Sequence, residues 1–193
     1  MLYFKEKLKK EGYIMLYKTE YSSLVGEILL VAEDEHLIGL WIVGQKYFMS
    51  ALKEEPIEKS DLPIFIKTKQ WLDDYFAGKQ PDLALLSLKP KGSDFRQLVW
   101  DILCHIPYGQ TVTYGDIAKE AAIRLNKPTM SAQAVGNAVG HNPISIIIPC
   151  HRVVGTNGSL TGYAGGIDKK IRLLELEGVD TQAYFVPKTG TAL

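Results

Sequence analysis

The run Pro149-Cys150-His151-Arg152 sets a thiol directly beside an imidazole and a guanidinium. The thiolate is the reactive form of cysteine, and a free thiol with a pKa of ~8.5 needs a neighbouring base or cation to reach it at neutral pH. His151 is the first candidate for that base, acting directly or through water. Its ring needs an acid or a carbonyl to orient it, and Glu177 is the best-placed acid. Rival chemistries fit less well. A cysteine hydrolase needs a distant histidine with an asparagine partner, and neither His105 nor His141 comes with one. One Cys and one His supply half of a tetrahedral zinc site, and Cys104 and Cys150 form no CxxC pair, so no metal is expected. A buried, inert cysteine is the bland reading, and Pro-Cys-His-Arg at a strand end argues against it.

Elements on either side must position these groups. Ile144-Ser145-Ile146-Ile147-Ile148 is β-branched and uncharged, and it reads as a buried strand. Pro149 cannot donate to a ladder, so Cys150 should emerge, solvent-reachable, at a rigid edge. Further on, Thr161-Gly162-Tyr163-Ala164-Gly165-Gly166 reads as a loop whose amides approach a ligand closely. It is no phosphate loop, because no Gly-Lys-Ser/Thr follows. Asp168 opens a last helix with Ile171, Leu173 and Leu174 inward, which leaves Glu177 just before Gly178.

Upstream of the cysteine the pattern is helical. Ser93 caps an amphipathic helix whose stripe is Phe95, Leu98, Val99, Ile102, Leu103 and Ile106, with Cys104 as a small core residue. Thr113, three residues before Asp116, forms a capping-box start to a second helix. Ser131 caps a third over 132–140, rich in Ala and Gly, and the pair reads as a helix-turn-helix. The small residues allow either close helix packing or close approach to a DNA groove wall. Only Gln133 and Asn137 could read bases there, so docking in a minor groove without sequence readout fits better.

The first half reads as strands over 14–19, 25–32 and 37–43, a helix capped by Asp61 with Pro63 in its first turn, and a further strand over 83–88. His36 there reads as structural. The expected organisation is an N-terminal extension over 1–13, an α/β domain over 14–90, a second domain over 91–180 that carries the helix-turn-helix and Cys150, and a tail over 181–193. Formal net charge is zero, so no bulk field advertises a nucleic acid or a membrane. No signal-peptide core or membrane-length apolar run occurs, and reduced thiols point to the cytoplasm; a monomer is expected.

With those residues in view, the chain resembles the O6-alkylguanine-DNA alkyltransferases, on the signature Pro149-Cys150-His151-Arg152-Val153 and the match from Phe95 to Gly178. The resemblance implies an RNase H-like small sheet plus helix, followed by a mostly helical, winged-helix-like domain carrying the helix-turn-helix. It implies single-turnover repair without a cofactor: the helix-turn-helix docks on double-stranded DNA, an alkylated guanine flips out, and Cys150 keeps the alkyl group. O4-alkylthymine is a further candidate substrate, and a non-catalytic lesion binder of the alkyltransferase-like kind is the alternative.

By position in that family, Tyr114 would serve the purine N3, and the Cys150 and Val153 carbonyls its exocyclic amine. The Ala164 amide would face O6, while Tyr163 and Gly165 would shape the pocket. Asn142 would brace the turn around the cysteine, and His151, oriented by Glu177, would take the thiol proton through water. Tyr114, Gln133, Ala134, Gly136, Asn137 and Arg152 would meet DNA, with Arg152 also read as a structural residue that ties the strand end to neighbouring backbone. Two positions depart from the family pattern. Gln133 stands where an arginine commonly enters the base stack, and Ala164 stands where serine is common.

Overall fold

A computed structural model describes residues 15–187. The expectation for 1–13, and the end of the expected tail, lie outside the described residues.

β1 (Leu16–Ser23), β2 (Gly26–Glu33) and β3 (His36–Ile42) form an antiparallel meander, and the short β4 (Ile57–Glu58) joins β1 in parallel, giving the order β3-β2-β1-β4. Strands β2 and β3 are apolar on both faces because both are covered. Ile28, Leu30, Leu40 and Ile42 face the main core, while Leu29, Val31, Ile38 and Trp41 face a smaller one closed by Phe48, Met49 and Leu52. Helix α1 (Pro63–Phe76) packs on the sheet through Ile64, Phe65, Trp71, Leu72 and Tyr75.

Two expectations fail locally. Asp61 does not cap α1; Leu62 occupies the cap position without a side-chain bond, and Pro63 starts the helix. The strand expected over 83–88 is a 3-10 turn at Leu83–Leu85, because the Asp82 carboxylate accepts from the Ala84 amide at 2.9 Å. Only Leu88 bridges to Leu37.

The second half contains α2 (Asp94–Cys104), α3 (Tyr114–Arg124), α4 (Ala132–Gly140) and α5 (Ile167–Leu176). The caps by Ser93 and Ser131 are present, and Thr113 and Asp116 form the reciprocal capping box. The Trp100 indole donates to the Ala138 carbonyl at 2.9 Å and ties α2 to α4. A two-residue parallel pair, β5 (Val112–Thr113) with β6 (Val153–Val154), joins the start of α3 to the segment after the cysteine.

The largest correction concerns residues 144–148, which are buried but are not a strand. A single bridge forms where Leu40 donates to the Pro143 carbonyl at 2.8 Å and Ser145 donates to the Leu40 carbonyl at 2.9 Å. The chain then turns on itself. The Ile147 amide reaches the Ser145 carbonyl, that of Ile148 reaches Ile144, and Ile146 takes a φ of 70°. A β-branched residue in that region is strained, so the surroundings must hold it there. Composition reported the burial correctly, and these local turn bonds displaced the ladder.

Candidate functional site

Cys150 opens a single 3-10 turn, Cys150–Arg152. Its sulfur is held by Asn142, whose Nδ2 donates to Sγ at 3.1 Å and to the Ile148 carbonyl at 2.8 Å. The Asn142 Oδ1 accepts from the Ile144 amide at 3.0 Å, so one side chain fastens both ends of the strained turn.

The neighbouring imidazole is wholly buried. His151 Nε2 lies 2.7 Å from Glu177 Oε1, which makes Nε2 the donor and leaves the lone pair on Nδ1. Nδ1 has no hydrogen-bond partner among the described residues. Glu177 sits at the C-cap of α5, where the helix dipole disfavours a negative charge. Arg152 offsets this with a two-pronged pair, Nε to Oε2 at 2.8 Å and Nη2 to Oε1 at 2.9 Å, and its Nη1 donates to the Ile106 carbonyl at 2.6 Å. The Gly109 amide donates to Oε2 at 3.1 Å.

These contacts set the protonation states. Burial works to raise the Glu177 carboxyl, but the hydrogen bonds and charges of His151 and Arg152 prevail and hold it at about 2. Burial pulls His151 below the ordinary imidazole value, with Glu177 opposing, so the resting ring is a neutral base. The Cys150 thiol is pushed up by burial, with the Asn142 bond and the Lys170 charge opposing. That corrects the expectation of a solvent-reachable, acidified sulfur, since Cys150 is 4% exposed. Cys104, also pushed up by burial to about 11, fits the small-core-residue reading.

Beside this centre, a cleft of about 490 Å³ is lined by Tyr114, Gln133, Gly136, Asn137, Tyr163 and Ala164, with Lys46 and Tyr47 from the first half. Tyr114 Oη lies 3.3 Å from the carbonyls of both Thr161 and Gly162. A Cβ on Gly162 would meet that oxygen at 2.6 Å, and one on Gly165 would meet the Tyr163 ring at 2.7 Å. Here the two glycines make room for two tyrosines.

The α4 face divides as its composition allows. Val135, Ala138 and Val139 are buried in the core, whereas Ala132, Gln133 and Asn137 are exposed. The close-packing reading holds for Ala138, and the opposite face leaves Ala132 open to solvent. Ala134 and Gly136 lie partly buried between them. Arg152 ties the cysteine turn to neighbouring backbone, as its structural reading expects, through the Ile106 carbonyl, and Glu177 engages the rest of its guanidinium.

Two residues were not singled out from the sequence. Lys170 is fully buried on α5, and its Nζ donates to the Val153 carbonyl at 2.5 Å and the Thr161 carbonyl at 2.9 Å. Burial lowers its pKa to about 8. A visible signal existed, because Lys170 is a charge on the stripe formed by Ile167, Leu173 and Leu174. Tyr75 reaches Glu177 Oε1 at 2.7 Å from α1, and on the apolar face of that helix nothing marked it out.

A thiol backed by a buried imidazole and carboxylate, set beside a helix-turn-helix, defines a class of DNA-directed protein with a reactive cysteine. Residues 16–90 match the model of the 6-O-methylguanine DNA methyltransferase ribonuclease-like domain, and residues 94–179 match that of the DNA-binding domain. The chain belongs to the 6-O-methylguanine DNA methyltransferase family. It is 39% identical to the methylated-DNA–protein-cysteine methyltransferase of Haemophilus influenzae, over 85% of this chain and 87% of that protein. It is 42% identical to the enzyme of the same name from Methanosarcina acetivorans, over 84% and 99%. The crystal structure of Mycobacterium tuberculosis OGT in complex with DNA superposes with a TM-score of 0.72 at 37% identity, covering 86% of this chain and 98% of that one. The expected fold class, a ribonuclease-like module followed by a DNA-binding domain, is the one found. Among the described residues no helix is long and apolar enough to cross a membrane.

Proposed function

We propose that this chain repairs DNA by moving the alkyl group of an O6-alkylguanine irreversibly onto Cys150, once per molecule. The observation that carries the reading is the hydrogen-bonded set Asn142–Cys150 and His151–Glu177, which holds a sulfur in place beside an imidazole with a basic Nδ1. The alkylated base turns out of the stack into the cleft under α4, with Gln133 filling the gap it leaves. The thiol proton passes through a water to His151 Nδ1, and Glu177 stabilises the imidazolium through Nε2. The sulfur forms a bond to the alkyl carbon as the carbon–O6 bond breaks. The departing electrons go to the purine, which Tyr114 neutralises from its hydroxyl.

Tyr163, Ala164 and Gly165 shape the pocket, with the Ala164 amide toward O6. The Cys150 and Val153 carbonyls hold the exocyclic amine. For Val153 this means sharing its carbonyl with Lys170, which its two lone pairs permit. Tyr114 must release Thr161 and Gly162 as the base enters, and long bonds of 3.3 Å make that exchange cheap. Ala134, Gly136 and Asn137 lie along the DNA, and the protein acts as a cytoplasmic monomer.

Mass spectrometry after mixing with an O6-methylguanine oligonucleotide tests the reading. One methyl should appear on the Cys150 peptide and vanish in Cys150→Ala. Tight lesion binding without a mass change would overturn transfer in favour of a lesion-binding protein.

A further inference from the structure

The Tyr75 ring is 1% exposed and well packed, stacked on Trp71 with centroids 5.5 Å apart and meeting Phe76 and Tyr108 edge-on at 5.4 and 6.2 Å. A phenylalanine would fill that space equally well. The hydroxyl is the added element, and it points at the buried ionic cluster: Glu177 Oε1 at 2.7 Å and His151 Nε2 at 3.5 Å. An ionised carboxylate only accepts, so Tyr75 donates to it. Oε1 thereby takes donors from Tyr75, His151 and Arg152, while Oε2 takes Arg152 and Gly109. Such a carboxylate has about four lone-pair sites, so these donors compete for its negative charge.

We infer that Tyr75, supplied by the ribonuclease-like half of the chain, is a positioning residue that sets the basicity and orientation of His151 by sharing the Glu177 carboxylate. The inference rests on the reading of His151 as the proton acceptor for Cys150. By drawing charge from Oε1, the phenol limits how strongly Glu177 stabilises an imidazolium, and so keeps His151 in its basic, neutral form at neutral pH. It also couples the sheet-bearing half to the reaction, where its part would otherwise be that of a scaffold. The other groups facing the pair are Arg152 and Cys150 from the nucleophile turn, Tyr108 before β5, Tyr163 from the pocket loop and Lys170 from α5. None of the tyrosines among these bonds to Glu177: the Tyr108 hydroxyl goes to the Leu176 carbonyl at 3.1 Å, and Tyr163 Oη has no partner among the described residues.

The test uses the whole chain and two readouts. In Tyr75→Phe, the His151 imidazole titration followed by nitrogen-15 NMR should rise by ~0.5–1 pH unit, because Glu177 then serves the imidazolium more fully. The acid limb of the methyl-transfer rate should rise by the same amount, which slows transfer by ~3–10-fold at pH values below the wild-type limb. Site-specific 3-fluorotyrosine at position 75, a stronger donor, should move both readouts the other way, and it keeps the test alive if the phenylalanine variant folds poorly. A lower Tm with neither readout moved would make Tyr75 a packing residue and overturn the inference. Wild-type protein that transfers no methyl would sink the repair reading instead, while the NMR titration would still decide the role of Tyr75.

Discussion

Asn142 Nδ2 bridges Cys150 Sγ, 3.1 Å away, and the Ile148 carbonyl, 2.8 Å away, so a single amide fixes the nucleophile relative to the strained turn that carries it. Asn142→Ala should therefore act on both stability and rate. Losing its bonds leaves the Ile144 amide unsatisfied in a buried site and the Ile148 carbonyl with the Cys150 amide as its remaining donor, at a cost of about 1–3 kcal/mol. Methyl transfer should slow by ~10-fold or more as the sulfur loses its placement. Urea unfolding and single-turnover kinetics check the two effects, and a variant as stable and fast as wild type would remove Asn142 from the site.

Glu177→Gln should change how stability depends on pH. The folded carboxyl, at about 2, lies below the ~4.3 of an unfolded glutamate. Its ionised form thus stabilises the fold above pH ~4.3, and that contribution is lost as pH falls toward 2. His151, held below ~6.5 by burial, adds a shallower loss that begins as pH falls through that value. At pH 7 the glutamine variant should be about 3–5 kcal/mol less stable, since Arg152 is left nearly buried without its anion. Denaturation at pH 7, 5 and 3 should show the gap narrowing toward acid; a constant gap would mean that Glu177 is not ionised in the fold.

Tyr114→Phe should slow transfer by ~10-fold or more while leaving affinity for lesion-free DNA unchanged. Its hydroxyl makes only the long contacts to Thr161 and Gly162, so stability should shift by less than about 1 kcal/mol. Rapid-quench kinetics with an O6-methylguanine oligonucleotide, set against binding isotherms, separates the two. Unchanged kinetics would exclude this phenol as the donor to the purine.

Gln133→Arg should tighten DNA binding by ~3–10-fold at low salt and steepen the salt dependence by about one ion. Gln133 is exposed near the start of α4 and lines the cleft, so the longer cation has room. Titrations at several salt concentrations check it. A fall in both affinity and transfer rate would place the intercalating side chain elsewhere.

Much of this site was legible as sequence. The reactive cysteine, its histidine neighbour, the helix caps at Ser93, Thr113 and Ser131 and the small-residue helix over 132–140 all depend on residue types a few positions apart, and local chemistry alone decides them. The same locality explains the errors. A β-branched, uncharged run such as 144–148 records that it is buried, and is silent on whether a neighbouring strand or its own turn takes up its amides. In this chain Leu40 takes the Ser145 amide, Asn142 takes that of Ile144, and the turn's own carbonyls take those of Ile147 and Ile148.

The sequence named Glu177 as the partner of His151; what the tertiary structure alone decided is that Tyr75, Gly109 and Arg152 join them. Tyr75, Gly109, His151 and Arg152 lie as many as 102 residues from it in sequence and meet at one carboxylate. Arg152 turns inward for that reason. Its position in the chain carried no trace of the anion waiting at the end of α5, because a buried charge is placed by whatever can neutralise it, however distant in sequence.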